Sequence, residues 1–182
     1  GWGGAPLAKT AGDARLLAHL SAGPVRLHTQ DPNASPRIPA ATRETNNTGE
    51  LLGLLTRLLF VLTVAKPGDG ADFYTDSTYA LIEAHGGRTP KGKPHTRPNA
   101  ALVYRLRKAL CDLKQRLGAA HVRILKVKAH SGHTWNDVAD ALAADGRSQH
   151  SLPTAETLEK LRRALHGEGG EHSVTWAYMP HG

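Results

Sequence analysis

Residues 122–143 read Val122-Arg123-Ile124-Leu125-Lys126-Val127-Lys128-Ala129-His130-Ser131-Gly132-His133-Thr134-Trp135-Asn136-Asp137-Val138-Ala139-Asp140-Ala141-Leu142-Ala143. Apart from Leu125, the stretch Val122 to Lys128 alternates apolar and basic residues, which predicts a strand with one face in water. Ala129 to Trp135 carries a glycine between two histidines and reads as a loop. Thr134 and Asp137 stand at capping-box spacing and predict a helix that runs to about Ala144. Asn136 and Asp140, four apart, share a face of that helix. Strand, polar loop and helix in close succession form one step of a layered α/β domain.

The neighbouring segments continue the pattern. Ala100 to Leu117 is a predicted helix with Leu102, Leu106, Leu110, Leu113 and Leu117 on one side, ended by Gly118. Before it, His85 to Pro98 is loop, with three prolines and three glycines among Arg88, Lys91, Lys93 and Arg97. Ala71 to Thr75 is a short strand that ends at Asp76, and Ser77 opens a short helix to about Ala84. Asn47 to Ala65 is the longest helix. Asn47 and Glu50 have capping-box spacing at its start, and Leu51, Leu54, Leu55, Leu58, Leu59 and Leu62 form a wide apolar face. Towards the N-terminus the pattern is weak. Pro24 to Thr29 alternates like a strand, and Arg37 to Thr42 could return beside it, with Pro39 at an edge or a strand end. Thr154 to His166 is an amphipathic helix and 167–182 a tail. The expected division is a domain over 1–146 and a helix with tail over 147–182.

Composition narrows the class. The 182 residues include 23 Lys and Arg against 16 Asp and Glu, a formal charge of +7, which points to a polyanionic partner. One cysteine, Cys111, excludes a disulfide framework and any zinc site that needs two thiolates. Hydrophobic and charged shares of 40% and 21% fit a globular chain. The apolar-rich run from Leu51 to Ala65 is interrupted by Gly53, Thr56, Arg57 and Thr63, and is expected to be too short and mixed for a bilayer.

Three carboxylates occupy special places. Glu50 is expected in the first turn of the long helix, Asp76 at a strand-to-helix junction, and Asp140 one turn into the helix after the histidine loop. Each has an ordinary reading: a capping residue, a helix N-cap, a solvated surface charge. Taken together they suit a divalent cation, because oxygen donors favour magnesium or manganese. Two ions about 4 Å apart would clamp the attacking and leaving oxygens of a phosphodiester. His130 and His133 lack the cysteine partners of a zinc pair.

In order and spacing these segments resemble the type-1 ribonuclease H family. Thr45-Asn46-Asn47-Thr48-Gly49-Glu50-Leu51 is similar to the family's Asn-Asn-x-x-Glu-Leu helix start. Tyr74-Thr75-Asp76-Ser77-Thr78-Tyr79 resembles its Thr-Asp-Ser-x-Tyr motif, and Asn99-Ala100-Ala101-Leu102-Val103 the start of its fourth helix. Val127 to His133 followed by Asn136 to Ala143 is close to its C-terminal signature. The resemblance covers about residues 46–146. It implies an α/β fold of the ribonuclease H type, a mixed sheet that begins with an antiparallel meander and is flanked by helices. It also implies endonucleolytic hydrolysis of the RNA strand of an RNA–DNA hybrid by a two-metal mechanism.

By position, Glu50, Asp76 and Asp140 would be catalytic metal-binding carboxylates for magnesium or manganese. His130 would assist proton movement or product release, with Gly132 letting its loop flex. Asn136 would help hold the last aspartate. Asn46 and Asn47 would lie beside the hybrid's minor groove, with Thr45 and Ser77 as backbone contacts, and Arg88, Lys91, Lys93 and Arg97 could touch phosphates.

Two features depart from the family. The stretch from His85 to Pro98 is too rich in proline for the basic helix that some members carry there. Gly1-Trp2-Gly3-Gly4-Ala5 resembles the aromatic-glycine lead-in to the second strand, so the first strand and its aspartate are expected upstream of Gly1; neither Asp13 nor Asp31 replaces that residue. The 182 residues alone are therefore expected to cleave poorly. The expected partner is an RNA–DNA hybrid rather than a membrane, the chain being a monomer or part of a larger polypeptide of intracellular location. The rival expectations are a catalytically impaired nucleic-acid-binding domain and the ribonuclease H domain of a reverse-transcriptase polyprotein.

Overall fold

The computed structural model describes residues 2–4, 7–9, 15–17, 21–23, 45–86, 99–128, 134–148, 153–166 and 174–175. In chain order these form β1 (Trp2–Gly4), β2 (Leu7–Lys9), β3 (Arg15–Leu17), β4 (Ser21–Gly23), α1 (Asn46–Val64), β5 (Ala71–Thr75), α2 (Thr78–Ala84), α3 (Ala100–Leu117), β6 (Val122–Lys126), α4 (Thr134–Arg147), α5 (Ala155–His166) and β7 (Val174–Thr175). The fold class is α/β, as expected. Among the described residues β1 pairs with β4, β2 with β3 and β3 with β7, and β5 with β6. The predicted strands at 24–29 and 37–42 lie outside the described residues. The chain forms two compact units, residues 25–129 and residues 1–24 with 130–182.

In the unit of residues 25–129, α1 packs along α3. Leu51, Leu55 and Leu58 of α1 and Leu106 and Leu113 of α3 are fully buried. Each such side chain contributes about 1.5–3 kcal/mol by leaving water. Phe73 of β5 and Val122 and Ile124 of β6 are buried too, while Arg123 and Lys126 stay exposed, as their alternation predicts. β5 and β6 are parallel, with Ala71 opposite Val122 and Thr75 opposite Lys126. The strand expected to reach Lys128 ends at Lys126. Gly118 has φ of 93°, a conformation open to glycine, and closes α3 with its N–H on the Lys114 carbonyl.

Both ends of α1 are tied to α3. At the N-terminus the buried Thr48 hydroxyl donates to Asn99 Oδ1 at 3.4 Å. At the C-terminus Arg116 donates to the Leu62 carbonyl at 2.5 Å, which satisfies one of the last carbonyls of the helix. Arg107 joins α3 to α2 through the Glu83 carbonyl at 2.7 Å and the Glu83 carboxylate at 3.0 Å.

The membrane expectation is corrected in one respect. The helix begins at Asn46, upstream of Leu51, so its 19 residues at mean hydropathy 1.3 are long and apolar enough to cross a membrane by length and composition. Its leucine face is buried against protein, which is also what a core helix shows.

In the unit of residues 1–24 and 130–182, α4 packs on β1, β4 and α5. It runs to Arg147, beyond the expected Ala144. Asp145, 6% exposed, takes hydrogen bonds from the Thr154 N–H at 3.1 Å and the Thr157 hydroxyl at 2.6 Å. A buried acid near the end of α4 thereby satisfies donors at the start of α5. The segment read as a tail contributes β7, parallel to β3.

The close approach of β1 to α4 depends on Gly3. A Cβ there would lie 2.5 Å from the Ala143 nitrogen and the Leu142 Cβ and 2.6 Å from the Ala139 carbonyl oxygen. Gly3→Ala is expected to destabilise the chain by about 1–3 kcal/mol through overpacking, read as a lower urea midpoint at unchanged slope.

The Asp72–Arg123 pair between β5 and β6 gives a second test. The Arg123 guanidinium, bonded to Asp72 at 2.7 Å, holds the Asp72 carboxyl below its usual value. A carboxyl that titrates lower in the folded than in the unfolded chain stabilises above the unfolded pKa of about 3.9. That contribution is lost as pH falls through the folded value. The stability gap between wild type and Asp72→Asn, measured by urea unfolding, should therefore narrow as pH drops below about 4.

Candidate functional site

The site grows from the junction of α1, β5 and α2. The cap of α1 differs from the expected one. Thr45 is the N-cap, in extended conformation, and its hydroxyl accepts from the Thr48 N–H at 3.2 Å. Asn46 and Asn47 are the first two helical residues and are exposed. Glu50 is the fifth helical residue, and no acidic residue lies in the first turn. The capping-box reading of Asn47 and Glu50 is therefore corrected. The physical reason is that Thr45 already supplies an acceptor two residues earlier, to the same end of the helix.

With the capping role gone, the Glu50 carboxylate faces another element. The Ser77 hydroxyl donates to Glu50 Oε2. Ser77 also caps α2, its Oγ accepting from the Ala80 N–H at 3.0 Å. Asp76 is thus not the N-cap of α2 either. It lies between the end of β5 and that cap, half-buried. Its main chain is held on both sides. The Ser77 N–H donates to Thr75 Oγ1 at 3.1 Å, and the Lys126 ammonium donates to the Asp76 carbonyl. Glu50 is thereby bonded to the residue that follows Asp76, at the carboxyl end of a parallel strand, where α/β folds commonly bind ligands.

Asp140 belongs to the other unit. It is exposed on α4, and Asn136 Nδ2 donates to its Oδ2 at 3.4 Å, a long contact along the helix face. His130, Gly132, Arg88, Lys91, Lys93 and Arg97 lie outside the described residues.

Glu50 and Asp76 offer only carboxylate oxygens, a donor chemistry that fits magnesium or manganese better than softer metals. No three metal-ligating side chains converge among the described residues, so this pair can supply only part of a metal site.

Sequence reading assigned Ser77 a backbone contact to nucleic acid and did not see its bond to Glu50. The available signal was its place directly after Asp76, at the start of a helix, where a serine is a preferred cap. Asn99 was read only as part of a helix start. It is 5% exposed and sits in left-handed conformation at φ of 63°, which asparagine tolerates better than most residues.

A sequence profile described as RNase H matches residues 19–148. A ribonuclease H of Rhodopseudomonas palustris (strain BisB5) is 34% identical over 121 residues, which cover 59% of this chain and 69% of that protein. A ribonuclease H of Nitratidesulfovibrio vulgaris (strain DSM 19637 / Miyazaki F) is 34% identical over 119 residues, 60% of this chain and 68% of that protein. No solved structure matches the chain.

Ser77→Ala is expected to remove the α2 cap and the donor to Glu50 together. The cap alone is worth about 0.5–2 kcal/mol. Ser77→Thr, which keeps a hydroxyl, should hold most of that stability. Thermal unfolding of the two variants beside wild type checks this, and equal loss in both would contradict it.

Proposed function

The chain belongs to the RNase H family, and from that premise we propose that it hydrolyses the RNA strand of RNA–DNA hybrids with divalent ions held by carboxylates. The observation that carries the reading is the hydrogen bond from Ser77 to Glu50. It turns a helix-borne carboxylate away from its own helix end and towards the residue beside Asp76.

In this reading Glu50 and Asp76 are metal ligands, and the C-terminal signature adds Asp140 to the set. Bound divalent ions would stabilise the attacking and leaving oxygens of the phosphodiester. The protein's own groups do the rest. Ser77 orients Glu50, and Asn136 steadies Asp140. The exposed Asn46 and Asn47 offer amides to the hybrid's minor groove, where 2′-hydroxyls mark the RNA strand. Thr45 is exposed beside them, whereas Ser77 is buried with its hydroxyl engaged by Glu50 and the Ala80 N–H. His130 moves a proton or helps product leave. Arg88, Lys91, Lys93 and Arg97 meet phosphates. The charge of +7 supports a polyanionic substrate.

Cleavage of a labelled hybrid with magnesium or manganese, expected to be slow for these 182 residues, tests the reading. Activity should vanish with EDTA, and duplex DNA should remain intact. Asp76→Asn should abolish cleavage yet leave hybrid binding equal or tighter, because one repulsive charge towards phosphate is gone. His130→Ala should slow turnover by about 10²-fold, the size of a lost proton-transfer group. Full activity in Asp76→Asn would falsify the metal assignment. Hybrid binding without cleavage under every metal condition would favour a non-catalytic binding domain.

A further inference from the structure

We propose that Lys126 is a positioning residue for Asp76, a role that rests on the reading of Asp76 as a metal-binding carboxylate. The β5–β6 ladder ends with Thr75 opposite Lys126. The Val127 N–H still reaches the Thr75 carbonyl at 2.9 Å. Asp76 lies one residue beyond the ladder, so strand pairing does not hold its carbonyl. The Lys126 side chain donates to it.

This contact completes a clamp around one residue. The peptide group before Asp76 is fixed through the Thr75 carbonyl, and the next one through the Asp76 carbonyl and the Ser77 N–H. Fixing both peptide planes fixes the backbone angles of Asp76 and hence the direction in which its carboxylate leaves the chain. A catalytic group must be held to within about 0.5 Å of its working geometry by the residues around it.

Of these clamps, Lys126 can be removed at least cost to the fold. Its side chain is exposed, whereas Ser77 is buried and caps a helix. An exposed hydrogen bond is readily replaced by water and adds little to stability. Water would satisfy the carbonyl without fixing its direction. The effect of Lys126 should therefore appear in the site and not in folding.

The test compares Lys126→Met, which keeps an unbranched stem without a donor, with Lys126→Arg, which keeps a donor. Three quantities are measured on the full chain: manganese binding by titration calorimetry, steady-state cleavage of an RNA–DNA hybrid, and thermal midpoint. Lys126→Met should weaken manganese binding and lower kcat by up to about tenfold, short of the 10²-fold that a 1 Å displacement can cost. KM for the hybrid and the thermal midpoint should not move, and Lys126→Arg should restore both losses. Unchanged manganese affinity and kcat in Lys126→Met overturns the proposal. So does a defect confined to KM with a shallower salt dependence, which would make Lys126 a phosphate contact instead. Asp76→Asn is assayed alongside. If it cleaves fully, the reading of Asp76 fails and the role of Lys126 with it. If it is inactive while Lys126→Met is normal, only the positioning role fails.

Discussion

A serine hydroxyl has one proton to donate and two lone pairs to accept with. In this chain Ser77 gives the proton to Glu50 and receives the Ala80 N–H. One oxygen thus joins α1 to the start of α2, at the end of β5. The arrangement suits a candidate site because it fixes where the Glu50 carboxylate points. A hydroxyl donating to a carboxylate makes a stronger bond than one donating to a neutral group.

The tie is useful only if α1 cannot roll or slide, since Glu50 is carried on it. The rest of that unit supplies this constraint. The leucine contact between α1 and α3 sets their separation, and polar bonds fix the ends. Thr48 meets Asn99 near the first turn, and Leu62 meets Arg116 near the last. Thr48 and Leu62 are 14 positions apart, about 21 Å at helical rise. Two anchors at that spacing leave little freedom for rotation about either one. Arg107 extends the frame to α2 through Glu83, so the two helices that hold Glu50 and Ser77 share one support. Asn99 pays for its part with an uncommon backbone conformation, offset here by burial and by its bond to Thr48.

Much of this architecture was legible from periodicity. The leucine spacing gave α3 from Ala100 to Leu117, and the alternation after Val122 gave β6, because both are patterns of burial that a sequence records directly. The start of α1 was misread because Thr45-x-x-Thr48 and Asn47-x-x-Glu50 are overlapping capping signals, and spacing alone does not rank them. β6 stopped two residues short of the expected Lys128 because pairing partners run out with β5 at Thr75, a limit set by another segment. Asp76 and Glu50 were legible as residues of interest from local motifs. Their connection was not, because it passes through a side chain 27 positions from Glu50. Lys126 was invisible for the same reason, its partner lying 50 positions away.

The partners of the other acids in this unit sharpen the reading of Glu50. Among the described residues Asp72 pairs with Arg123, Glu83 with Arg107, and Asp112 with Lys108. Asp69 accepts the Lys66 N–H. Glu50 takes a neutral hydroxyl. A carboxylate already paired with a guanidinium would have to lose that partner before a divalent ion could take its place. A carboxylate steadied by a hydroxyl has its orientation fixed while its charge remains uncompensated. In a chain with an excess of cations, the placement of an arginine or lysine against Glu50 would have been the ordinary outcome. Among the described residues a serine stands against Glu50 instead.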